Sequence, residues 1–272
     1  MPFNPSRLIV TLSSIPPRFQ DLSPTLESIL GQRLPADEII LYIPLRYRRF
    51  AGWDGCLPSV PAGVSIRRTE IDYGPATKVL PAVREFAGQD VEILFCDDDR
   101  SYDPDWTKRF LDLRALKPGL CLAEGGKDLE DLTEAGRGRT RLPRVKLRID
   151  TLKGRLETAF RSKKRPISRF SASGYCDVFL GSRGVLVRPE FFVQSVFDIP
   201  DTLWTVDDFW LSGHLETRDT GIWINGDAPF LREREIGGVS PLRTFVFNGH
   251  DREAANDACV EYYRRMYGIW RI

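Results

Sequence analysis

An α/β fold built on a largely parallel sheet is what this 272-residue sequence predicts, and three observations predict it. Short apolar runs alternate with amphipathic stretches over the first 125 residues, the pattern of right-handed strand–helix–strand crossovers. The run Val91-Glu92-Ile93-Leu94-Phe95-Cys96 has the length and composition of a buried strand. It stops at Asp97-Asp98-Asp99, which places carboxylates at the mouth of the sheet, where such folds build ligand sites.

The elements follow in order. Residues 7–12 read as a first strand and 13–17 as the loop after it. Leu22, Leu26, Ile29 and Leu30 then fall at i, i+4, i+7 and i+8, with Ser23 and Pro24 at the start of that helix. Residues 38–44 are a second strand. Val64 to Thr69 alternates and reads as a third, more exposed one. A helix over 77–86 leads into the strand before the aspartates. Beyond the middle of the chain, 181–189 is a glycine-bounded turn into a strand, and 190–197 begins a helix. A strand at 221–224 and a helix over 251–270, packed through Tyr262, Tyr263 and Tyr267, complete the chain. No repeat or linker interrupts it, so one domain is expected.

The middle departs in composition. Between Lys127 and Arg169 there are 14 Lys or Arg against 6 Asp or Glu, with little sustained apolar pattern. Such a stretch reads as a surface insertion or loop, with Leu147, Leu152 and Leu156 marking a short amphipathic helix. A solvated basic helix is one reading, and a lid or arm facing phosphate or anionic lipid is the other.

Bulk properties remove several classes. A net charge of +1 argues against a general nucleic-acid binder. No apolar run approaches the roughly 20 residues a bilayer span needs, and the first residues lack the features of a secretory signal. Five scattered cysteines form no CxxC pair, which favours reduced thiols and a cytoplasmic location. With two histidines in the chain, a metal site must rest mainly on carboxylates.

Four segments carry chemistry together. Asp72-Tyr73-Gly74-Pro75-Ala76-Thr77-Lys78 offers a carboxylate, a tight turn and a lysine able to reach a phosphate. Asp97-Asp98-Asp99 suits Mg2+ or Mn2+, which take carboxylate, water and phosphate oxygens. An acidic turn capping the helix near Pro104-Asp105-Trp106 is the structural alternative. Asp207-Asp208, beside Phe209 and Trp210, is a second acidic pair 110 residues downstream. Asn248-Gly249-His250-Asp251 is a polar turn carrying a histidine.

The order of these segments resembles glycosyltransferases of the GT-A fold, nearest to family-2-like and exostosin-like bacterial members. Ile15-Pro16-Pro17-Arg18-Phe19 and Leu26-Glu27-Ser28-Ile29-Leu30-Gly31-Gln32 resemble their nucleotide-facing start, and 72–78 the loop before their DxD strand. Asp97-Asp98-Asp99 matches the DxD motif, 181–188 the glycine turn, and Val206-Asp207-Asp208 the later acidic motif. The likeness covers roughly 1–125 and 173–225. It implies a Rossmann-like, mostly parallel nucleotide-binding sheet over 1–125 fused to an acceptor-binding half over 171–272; the segment 126–170 lies outside it and reads, by composition, as a basic insertion or lid.

The resemblance further implies a nucleotide-sugar donor, a UDP-sugar before others, a Mn2+ or Mg2+ ion, and a glycan, lipid-linked or protein acceptor. Asp97 and Asp99 would hold the metal, with His250 joining its shell. Thr11, Ser13, Arg18, Asp72, Lys78, Asp97 and Asp98 would contact the donor. Asp208, before Asp207, would be the general base of an inverting transfer or the orienting carboxylate of a retaining one. The implied activity is that of a hexosyl- or N-acetylhexosaminyl-transferase in glycan or polysaccharide synthesis. Outside the likeness, the composition of the basic segment 134–169 leaves room for peripheral membrane contact, and the near-neutral net charge argues against a nucleic-acid partner. His214 reads as packing or substrate-facing. The rival readings are a nucleotidyltransferase, whose glycine-rich loop is missing from 11–19, and a non-catalytic nucleotide or carbohydrate binder of the same fold.

Overall fold

The computed structural model of the protein describes residues 7–137, 141–148, 170–229, 231 and 251–272. Strands β1 (Arg7–Ser13), β2 (Glu38–Pro44), β3 (Val64–Thr69), β4 (Val91–Phe95) and β5 (Cys121–Ala123) come from the first half. After β6 (Gly126–Lys127), β7 (Lys146–Leu147) and β8 (Phe170–Ala172) come β9 (Gly174–Cys176), β10 (Val178–Phe179), β11 (Val185–Val187) and β12 (Ile222–Ile224). Eight of them form one sheet in the order β3-β2-β1-β4-β11-β5-β12-β9. β3, β2, β1 and β4 run parallel, as do β5 and β12, while β11 and β9 run antiparallel to their neighbours. The remaining four form two short antiparallel ribbons, β6 with β10 and β7 with β8.

The continuous apolar run of β4 is explained by burial on both faces. Ile93 and Phe95 enter one core and Leu94 the other, and Ile9 and Val10 divide in the same way along β1. Glu92 breaks the run chemically, and it is fully buried. Its carboxylate accepts from Arg114 Nε at 2.9 Å and Arg188 Nε at 2.7 Å, which makes the buried charge tolerable.

Helices α1 (Ser23–Leu30), α2 (Leu80–Glu85) and α3 (Trp106–Leu116) follow β1, β3 and β4. α4 (Asp207–Thr217) and α5 (Arg252–Tyr267) pack on each other near the carboxyl end. α1 and α5 lie where the sequence places them, and Asp251 caps α5 by accepting from Ala254 N at 2.9 Å. The helix expected over 77–86 is instead a 3-10 turn, Gly74–Lys78, followed by α2, because Pro81 at the helix start opens a new element. The helix expected from 190 is two 3-10 turns, Pro189–Phe191 and Gln194–Phe197. Phe192 and Val193 are extended between them, and Phe192 is drawn into the core. Leu147 sits exposed on β7 and not on a helix. Leu152, Leu156 and most of the basic segment lie outside the described residues. No described helix is long and apolar enough to cross a membrane.

Candidate active site

The order β2-β1-β4 makes the gap between the ends of β1 and β4 a topological switch point, the usual crevice of an open parallel sheet. Ser13 and Ser14 end one side of it and the three aspartates the other. The triplet does not cap α3: that helix starts after Asp105 with no side-chain cap. Its backbone is pinned from α1, where Thr25 Oγ1 donates to Asp98 O at 2.9 Å and to Arg100 O at 2.7 Å. Tyr102 OH donates to Asp97 O at 3.1 Å.

Held in this way, the three carboxylates diverge. Asp98 turns toward β1, accepting from Ser14 Oγ at 2.5 Å and Arg18 Nη1 at 2.7 Å. Asp99 Oδ2 lies 3.4 Å from Arg18, and its Oδ1 lies 3.3 Å from Arg100 Nε while accepting no hydrogen bond. Burial, reinforced by the charges of Asp97 and Asp98, pushes the Asp99 carboxyl up to about 6. Asp97 faces the other way, toward the second acidic pair.

Lys78 joins the two. Its ammonium donates to Asp97 Oδ1 at 2.6 Å and lies 2.9 Å from Asp207 Oδ2, an ionic contact without hydrogen-bond geometry. Burial disfavours the Lys78 ammonium, but Asp207, Asp97 and Asp208 hold its pKa well above the ordinary lysine value. Burial would likewise raise Asp97; the Lys78 charge overrides it and keeps that carboxyl low. The lysine that the sequence offers to a phosphate thus lines the cavity already paired with carboxylates. Lys78 is buried and committed to two carboxylates.

Asp207 and Asp208 form the first turn of α4, whose side chains are buried as far as Leu215. Asp208 Oδ1 accepts from Gly181 N at 3.0 Å, and its Oδ2 lies 4.0 Å from Arg252. A Cβ on Gly181 would stand 2.8 Å from Lys78 Nζ and 3.0 Å from Asp208 Oδ1, so the turn needs glycine there. Burial, then the Asp207 charge, raises the Asp208 carboxyl to about 7. Further along α4, His214 is buried edge-on against Trp210, and burial lowers it to about 4, so it is a packing residue.

At the far end, Asp72 spends its oxygens on the chain itself. Oδ1 accepts from Gly74 N at 2.8 Å and Oδ2 from Arg48 N at 2.7 Å. Trp204 Nε1 donates to Asp72 O at 2.9 Å, and Arg48 stacks over the Trp204 ring. Gly74 has φ +61°, and a Cβ there would meet Trp204 O at 2.6 Å.

These groups enclose one cavity of about 360 Å³. Ser13, Arg18, Asp72, Lys78, all three aspartates of the triplet and Asp207-Asp208 line it. Thr11 does not: it is fully buried two residues further down β1, with Oγ1 lacking a hydrogen-bond partner. His250 lies outside the described residues. Sequence reading missed Ser14, Tyr47, Arg49, Arg100 and Arg252 on the wall.

No family model matches the chain, and no curated protein matches it by sequence. Its structure is similar to S. aureus TarS 1–349 in complex with UDP-GlcNAc, at 14% identity and TM-score 0.46, over 86% of this chain and 60% of that one. It is also similar to GalNAc-T7 with UDP, GalNAc and Mn2+, at 13% identity and TM-score 0.54, over 98% of this chain and 49% of that one. The fold is GT-A. The chain spans less than two thirds of the length of either GT-A neighbour, and at this identity the likeness speaks to the fold alone.

Proposed function

We propose that the chain is a metal-dependent glycosyltransferase moving a hexose or N-acetylhexosamine from a nucleoside-diphosphate sugar, a UDP-sugar by preference, to a hydroxyl acceptor. The observation that carries this is the convergence of the aspartate triplet and the Asp207-Asp208 pair across Lys78, in one cavity at the sheet's switch point. GalNAc-T7, whose fold it shares, has been seen with UDP, GalNAc and Mn2+, and the motif order supports a family-2-like or exostosin-like member. Five free cysteines, four of them buried, support a reducing, cytoplasmic compartment.

The donor set fits a hard divalent cation. Asp99 Oδ1 is buried without a hydrogen-bond partner. The described wall carries six carboxylates (Asp72, 97, 98, 99, 207, 208) against five cations (Arg18, Arg49, Lys78, Arg100, Arg252), so an incoming diphosphate lacks compensating charge. Among the described residues no three His, Cys, Asp or Glu side chains group into a metal cage. Either Mg2+ or Mn2+ is commonly held by one or two carboxylates together with a substrate's own phosphates. Asp99 and Asp97 are the residues that would hold it, and His250 would complete the shell. When bound, the ion would neutralise charge on the diphosphate.

The remaining roles belong to the protein. Asp98 locks the end of β4 to β1 through Ser14 and Arg18. Asp207 anchors Lys78, and so holds the first turn of α4 against Asp97. Asp208 takes the proton of the acceptor hydroxyl, since a carboxylate raised toward neutral pH is well matched to that task. Ser13 and the Asp72–Gly74 turn face the nucleoside. Thermal melting with UDP, Mn2+ and both together tests the donor reading. Stabilisation by the pair beyond either alone, lost in Asp99→Ala, is expected; equal melting of both proteins in every condition rejects it.

A further inference from the structure

Arg252, the first residue of α5, lies on the cavity wall but outside every motif of the sequence. Its charge acts on both Asp97 and Asp208. The nearer carboxylate oxygen, Asp208 Oδ2, is 4.0 Å away, beyond hydrogen-bond reach. Asp251 beside it spends its carboxylate on Ala254 N. Lys78 is held by Asp97 and Asp207, Arg18 by Asp98 and Asp99, and Arg100 by Asp99. Among the described residues nothing accepts a hydrogen bond from the Arg252 guanidinium, which is about one third exposed to the cavity side and solvent.

We propose that Arg252 pairs with the β-phosphate of the sugar donor, the phosphate that carries the sugar and leaves. The inference rests on the donor reading above. Asp208 must meet the acceptor oxygen at the anomeric carbon, and the anion bonded to that carbon is the β-phosphate. A guanidinium on the same cavity wall, 4.0 Å from Asp208, is within a side chain's reach of that anion. In the transfer, the bond from the anomeric carbon to the β-phosphate oxygen breaks and its electron pair stays on that oxygen. The acceptor oxygen forms the new bond and its proton passes to Asp208. Arg252 transfers no proton; its fork of N–H donors meets the charge growing on the leaving oxygen.

UDP and UMP separate this role from a structural one, because UMP lacks the β-phosphate. Titration calorimetry in Mn2+ compares wild type, Arg252→Ala and Arg252→Lys, with melting curves to confirm folding. Arg252→Ala is expected to weaken UDP roughly 10- to 100-fold and leave UMP within about twofold, with Arg252→Lys between. Equal losses for UDP and UMP, or none for either, overturn the assignment. Inorganic pyrophosphate is the third probe. If wild type binds pyrophosphate through Arg252 but neither uridine nucleotide, the anion pairing stands and the UDP-sugar reading fails. If wild type binds none of the three, or binds pyrophosphate equally in both variants, the pairing fails.

Discussion

The Lys78 ammonium lies between Asp97 and Asp207, and removing it would strand the buried Asp207 carboxylate and leave the partly exposed Asp97 without its partner. Breaking such a pair costs far more than the pair's net worth, because the partners remain desolvated. Lys78→Met is therefore expected to lower unfolding stability by about 3 kcal/mol, measured by urea denaturation. The contribution is intact at neutral pH. With the folded pKa above the unfolded one, it is lost only as pH rises through the folded value. Asp208 gives the second prediction at this scale. As a general base it works ionised, and burial with the Asp207 charge raises its pKa to about 7. Donor turnover should thus rise with pH through that region and fall on the acid side. Asp208→Asn should cut kcat roughly 100- to 10,000-fold and remove that limb of the profile. A pH-rate profile checks both.

At the scale of elements, the 72–78 turn is where the nucleoside end is shaped. Gly74 combines a left-handed backbone with a 2.6 Å approach to Trp204 O that no Cβ fits. Gly74→Ala is expected to destabilise by about 1–3 kcal/mol and to weaken UDP, read by denaturation and calorimetry together. Asp251→Ala should cost about 1 kcal/mol through loss of the α5 cap. Much at this scale was legible beforehand. β4 ending at its aspartates, the periodic α1 and the extent of α5 were readable from apolar pattern, whereas the Asp251 cap is seen only in the structure. The 190–197 segment was not legible, because Phe192 is pulled into the core and breaks the helix that its neighbours favour. The inward turn of Asp72 had a signal, the Asp-x-Gly spacing of an Asx turn. Arg252 had none, since a lone arginine at a helix start is ordinary until the fold brings it to Asp208.

At the scale of the molecule, the sheet does the assembling. β11, from the second half of the chain, pairs with β4, and this brings the Gly181 turn and α4 beside a triplet more than 80 residues earlier. Sequence order alone predicts that the segments occur, but not that Lys78 bridges them or that Thr11 sinks below the cavity floor. Both depend on how deeply each strand end lies in the sheet. The central claim is that this cavity turns over a nucleotide sugar. It is tested most directly by measuring UDP release from a panel of UDP-, GDP- and TDP-sugars with Mn2+, using wild type and Asp208→Asn. Release from a UDP-sugar by wild type, dependent on Mn2+ and at least 100-fold slower in the variant, is the predicted result. Binding of UDP and Mn2+ without turnover of any sugar nucleotide, or equal turnover by both proteins, would contradict it.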